Sequence, residues 1–146
     1  MSIYQKTLVT KHLKQIGDIN MEKNLNLAGR VIFAIPLLAF GMGHFMKMSK
    51  MAAWVPIPFA KEFFVILTGV ALVAAAVSLL IKKHTFYAML GLALMLLIFA
   101  FSMALPMMMG SMGEAMKQAG MSNFFKDMGL AGAAIFMASK HIPSKK

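Results

Sequence analysis

Long stretches of this chain carry no charge at all. Residues 63–81 and 85–113 contain no Asp, Glu, Lys or Arg, and two shorter charge-free runs, 31–46 and 128–139, flank them. A helix rises about 1.5 Å per residue and needs roughly 20 apolar residues to cross the hydrocarbon of a bilayer. Runs of this length point to a membrane protein. In lipid, every backbone N–H and C=O must be satisfied within the protein, so only helices or closed barrels are open to such a chain. A barrel needs alternating segments of about ten residues. The continuous Leu-, Ala- and Met-rich runs fit helices instead.

Composition agrees. Of 146 residues, 60% are hydrophobic and 14% charged, against about 45–50% and 25% for a soluble domain. The net charge is +10. On a chain this apolar, it points to anionic lipid headgroups rather than nucleic acid. The chain has no cysteine, which excludes disulfides, thiolate metal sites, iron–sulfur clusters and cysteine nucleophiles. About thirty residues precede the first apolar run, longer than the n-region of a signal peptide, so no cleavable signal is expected.

The expected fold is all-α, a four-span membrane bundle over residues 27–146 preceded by a basic extension, 1–26. The spans cover about 27–46, 63–81, 86–106 and 122–139. In the extension, Tyr4, Leu8, Val9, His12, Leu13 and Ile16 share one helical side, with Lys6, Lys11 and Lys14 opposite. That pattern suits either a helix lying on a membrane surface or a solvated, partly disordered tail. Gly17, Asp18 and Asn20 then break the pattern. Arg30 opens span 1 and is expected to snorkel to the interface. Pro36 interrupts that span's hydrogen bonding. In the 47–62 connector, Trp54 is a second interface anchor beside Pro56 and Pro58. Span 4 is the least apolar, because it takes in Lys126 and Asp127. Its Gly129, Gly132, Ala133 and Ala134 favour close helix packing.

Lys and Arg number ten in the two terminal segments and the 82–84 loop, and five in the two longer connectors. The positive-inside rule therefore sets both termini in the cytoplasm. His44, Glu62 and Asp127 then gather at the outer ends of three spans as a candidate polar pocket. Ionisable groups in spans are costly and tend to serve function. A His with a carboxylate partner can transfer protons, for example at a quinone headgroup. The alternative is structural: Glu62 and Asp127 pair with Lys61, Lys126 or helix N-termini. Seventeen methionines raise a further option. Met42, His44, Met46, Met108 and Met112 are a soft donor set of the kind that takes Cu(I). The plainer reading is flexible apolar filling, and no metal site or resident cofactor is expected. No Gly-rich phosphate loop, HExxH or nucleophile elbow occurs.

Several segments resemble the DoxX-like family of small four-helix bacterial membrane proteins. They are Gly29-Arg30, Phe33, Gly41-Met42-Gly43-His44-Phe45, the connector with Pro56 and Pro58, and Leu67-Thr68-Gly69-Val70. Together they span roughly residues 27–139. Many relatives carry an acid shortly after the span 2 glycine, where this chain has Val70, Ala71, Leu72 and Val73. The resemblance implies a multi-pass protein of the bacterial inner membrane, sometimes linked to a quinone-coupled sulfur oxidoreductase or to complexes handling oxidative stress. The expected function is a non-catalytic subunit or scaffold of a larger membrane complex, of the kind that includes redox-linked ones, with other membrane proteins or further copies as partners. The alternatives are a quinone-interacting oxidoreductase component using the outer-rim pocket, and binding or transport of a small solute or Cu(I).

Overall fold

The computed structural model describes residues 3–53, 59–111 and 113–143. Trp54, Pro56, Pro58 and Met112 lie outside the described residues, and with them one interface anchor and one candidate copper ligand. The described residues are helical, with no strand among them. The helices are α1 (Ile3–Met46), α2 (Met48–Ala52), α3 (Lys61–Ile81), α4 (Thr85–Phe99), α5 (Leu105–Met109) and α6 (Glu114–Ser139). Three stretches are long and apolar enough to cross a membrane: Thr7–Met46, Lys61–Ile81 and Thr85–Met109. The chain divides into two compact units, Met1–Phe33 and Ala34–Lys146.

In the first unit, α1 runs unbroken through Gly17, Asp18 and Asn20. The sequence pattern falters there, but one glycine costs a helix only about 1 kcal/mol and does not end it. Residues 7–29 are all exposed.

In the second unit, buried positions follow helical period. On α3 they are Val65, Gly69, Leu72, Ala75, Ala76 and Leu79. On α4 they are Thr85, Met89, Leu92, Ala93 and Leu96. Spacings of three and four put each set on one face. The opposite faces are apolar too: Phe63, Leu67, Val70, Ile81, Leu94 and Ile98 are each more than half or about half exposed. Helix α3 packs on α4 and α2, and α6 packs along α4 and α5. Phe124 meets Phe101 edge to face at 5.7 Å while Gly120 lies against Met107 and Met108, so α6 runs antiparallel to α4 and α5.

The third apolar stretch reaches Met109 rather than ending near Pro106. Residues Ala100–Ala104 form a π-helical turn between α4 and α5. There the Leu105 N–H reaches back five residues to the Ala100 carbonyl. Proline lacks an N–H and its ring clashes with the carbonyl four residues earlier. The wider turn immediately before Pro106 accommodates both defects, and the helix continues.

The turn from α3 to α4 is tight. Lys82 and His84 both adopt positive φ, 59° and 56°. The Ser78 carbonyl accepts the N–H groups of Lys82 and Lys83 and the Thr85 hydroxyl. Those bonds satisfy the orphan helix end that the left-handed backbone exposes.

Helices approach most closely at glycines. A Cβ on Gly41 of α1 would lie 2.7 Å from Val73 Cγ2 and 3.1 Å from the Gly69 carbonyl oxygen. A Cβ on Gly69 of α3 would lie 3.0 Å from His44 Cβ and 3.1 Å from the Gly41 carbonyl oxygen. At Gly120 the nearest atoms are backbone, Met108 N at 2.5 Å and Met107 C at 2.8 Å. Gly129 has nothing within 4 Å. Thermal unfolding in mild detergent should separate these sites. Gly120→Ala should cost about 1–3 kcal/mol, because backbone cannot retreat as a side chain can. Gly129→Ala should be neutral or stabilising by up to about 1 kcal/mol through helix propensity. Equal melting of the two variants would contradict the packing described.

Candidate functional site

The polar residues of the second unit centre on Phe40. Lys126 on α6 extends its ammonium over the Phe40 ring, 4.8 Å from the centroid. The same Nζ lies 3.3 Å from an Asp127 carboxylate oxygen and donates to Asn123 Oδ1 at 3.3 Å. The cation is held by a ring face, a carboxylate and an amide. Cation–π attraction gains most where water is scarce. Asp127 is the buried member of the pair, 6% exposed, whereas the Lys126 side chain keeps 38% of its surface. A long aliphatic stem allows that division: the carboxylate goes inward and the ammonium stays near the surface.

His44 occupies the turn of α1 after Phe40. Its Nδ1–H donates to the Phe40 carbonyl at 2.8 Å. The imidazole thus supplements a backbone carbonyl of its own helix, the same residue whose ring receives Lys126. Helix α1 brings Phe40 and His44 one turn apart, and α6 supplies Lys126 and Asp127 alongside.

Glu62 is placed differently. It is exposed in the first turn of α3, where the helix N-terminus favours an acid. His44 lies against Gly69, seven residues further along α3, or about 10 Å of helical rise. Helix α1 passes α3 beyond its first two turns, so His44 and Glu62, two of the three residues of the expected pocket, are set apart along α3. Among the described residues, no group of three or more His, Cys, Asp and Glu could hold a metal ion.

Arg30, expected at an interface, is 4% exposed and has a partner. Of the candidate copper ligands, Met42 and Met46 are exposed on α1. Met108 is half-buried on α5, and its backbone faces Gly120.

Hydroxyls along the apolar helices turn onto backbone. Thr68 donates to the Phe64 carbonyl at 2.9 Å and Ser78 to that of Lys83. Sequence reasoning missed Phe40 and Asn123 as partners of Lys126. The i, i+3 spacing of Asn123 and Lys126 was a readable signal; the approach of Phe40 from another helix had none. No family model, curated protein or solved structure matches this chain.

Lys126→Met removes the only ion-pair partner described for a buried carboxylate. The expected cost is about 1–3 kcal/mol, the penalty of an unsatisfied buried group. Lys126→Met combined with Asp127→Leu should recover most of that loss, since an apolar pair of similar volume replaces a buried ion pair well. Denaturation of both variants by an anionic detergent reads the difference. A double variant no more stable than the single one would contradict this role for the pair.

Proposed function

We propose that this chain is a multi-pass protein of the bacterial inner membrane, and a non-catalytic subunit or scaffold of a larger membrane complex. In this reading the second unit and the end of α1 make a four-span bundle of the DoxX-like type, with both termini cytoplasmic. The carrying observation is the side-chain distribution on α3 and α4. Val65, Leu72, Leu79, Met89, Leu92 and Leu96 face inward, and the outward face is just as apolar, with Phe63, Leu67, Val70, Leu94 and Ile98. A water-soluble monomer rarely exposes contiguous apolar surface on this scale. Lipid, or a neighbouring membrane protein, accounts for it.

Helix α6 serves as the fourth span despite its charges. Its 26 residues are long enough to cross, and its outward side chains include Phe125, Ile135 and Phe136. The Lys126–Asp127 pair is internally compensated, which lowers the cost of carrying it into the membrane.

A structural role is favoured by how the polar groups are spent. Thr68 and His44 bond to carbonyls of their own helices, and Asp127 to its neighbour Lys126. Each engagement stabilises a helix or a helix contact.

Two measurements test this. Because the chain lacks cysteine, single cysteines report topology through a membrane-impermeant thiol reagent. Lys50→Cys and Lys117→Cys should label in intact spheroplasts, and Lys83→Cys and Lys140→Cys only after permeabilisation. Labelling of Lys140→Cys from outside would remove the fourth crossing, and a reversed pattern would overturn the orientation. Purification in mild detergent should yield a colourless protein together with a stoichiometric protein partner. A stable monomer carrying bound quinone would overturn the scaffold role.

A further inference from the structure

Helix α1 has 44 residues, about twice what one bilayer crossing needs. The crossing takes its C-terminal half, 27–46. The N-terminal half is helical, exposed throughout its described side chains and rich in apolar residues. Leu8, Val9, Leu13, Ile16 and Ile19 fall within an arc of about 140° that also holds Gln5 and His12, with Thr7, Thr10, Lys11 and Lys14 on the opposite side. All five apolar side chains are more than two-fifths exposed. Residues 3–17 contain Lys6, Lys11 and Lys14 and no acid.

Resting on the membrane reading above, we infer that residues 3–19 dock on the anionic lipid surface of the membrane that α1 crosses. Leu8, Val9, Leu13, Ile16 and Ile19 enter the headgroup–acyl boundary, and the lysines meet lipid phosphates. Charge selects this occupant. A second copy of the helix would set three lysines against three, with Asp18 the one acid among residues 3–19 to answer them. An anionic leaflet supplies the missing negative charge, and the cytoplasmic leaflet, on the side the positive-inside rule assigns to this segment, is the anionic one. The apolar arc is also broad, wider than the narrow seam of a coiled coil and typical of an interfacial helix.

Docking requires α1 to bend between its halves. Gly17, Asp18, Asn20, Asn24 and Asn26 are weak helix formers clustered in one stretch. All are exposed, and nothing lies within 4 Å of a Cβ placed on Gly17 or Gly29. Neither propensity nor packing holds this stretch straight, so it is the place where the helix turns onto the surface.

Spin labels on single cysteines in the full chain, reconstituted in vesicles, test the inference. The labels sit at Leu8→Cys, Thr10→Cys and, as a membrane control, Ala74→Cys on the exposed side of α3. Oxygen partitions into lipid and a nickel chelate stays in water. In phosphatidylglycerol–phosphatidylcholine vesicles, Leu8→Cys should favour oxygen and Thr10→Cys the nickel chelate, and in pure phosphatidylcholine the contrast should shrink several-fold. Each lysine near an anionic leaflet strengthens binding roughly fivefold, so Lys6→Gln, Lys11→Gln and Lys14→Gln together should weaken docking on the order of 100-fold. Equal nickel access at Leu8→Cys and Thr10→Cys in both lipids would overturn the inference. So would dipolar broadening between copies that vanishes on dilution with unlabelled protein, which would make a second copy the occupant. Nickel access at Ala74→Cys would instead sink the membrane reading itself.

Discussion

Everything in the second unit depends on helices coming close enough for their backbones to touch. In the proposed membrane setting, lipid tails are as apolar as leucine, so hydrophobic burial gives helices little reason to associate and close packing must do it. Glycine permits that approach. Gly41 and Gly69 bring α1 and α3 within backbone contact, and Gly120 does the same for α6 against Met107 and Met108. Each lacks a Cβ where one would crowd the neighbouring helix, side chains and a carbonyl at Gly41 and Gly69 and backbone at Gly120. Alanines extend the effect along the buried faces: Ala75 and Ala76 on α3, Ala93 on α4, and Ala131, Ala134 and Ala138 on α6.

Close packing decides where polar groups can go. Buried among apolar side chains, a polar group is costly unless bonded, so it must find its partner on its own helix or on an adjoining one. His44 and Thr68 take the first route, with carbonyls four residues back. Asp127 also takes the first, paired with Lys126 on α6, and Lys126 takes both, because its ammonium reaches from α6 to the Phe40 ring on α1. That contact links the last long helix to the first. Even the wide turn at Ala100–Ala104 serves the same end, because it keeps the backbone bonded on the approach to Pro106.

Much of the helical architecture was legible because long charge-free apolar runs leave a chain few folds other than helices. The charge-free runs 63–81 and 85–113 locate α3 and the α4–α5 stretch within a few residues. What escaped was set by details that composition does not carry. Pro106 reads as a terminator unless the π turn before it is known. Gly17 and Asp18 read as breakers, yet a long helix tolerates them. The candidate pocket was the least legible, since span ends aligned in sequence need not align in space. Contact at Gly41–Gly69 fixes how far α1 slides along α3, and that register separates His44 from Glu62 by about two turns. No pattern in either helix alone encodes it.

The central claim is that each helix packs one apolar face inward while an equally apolar opposite face meets lipid on four helices, α6 included. Labelling by a diazirine carried on a lipid tail, read by mass spectrometry, tests it directly. The account predicts adducts on Phe63, Leu67, Leu94, Phe101 and Phe136, and none on the buried Leu37, Leu79 and Met89. Adducts on Leu79 and Met89, or an α6 free of label, would contradict it.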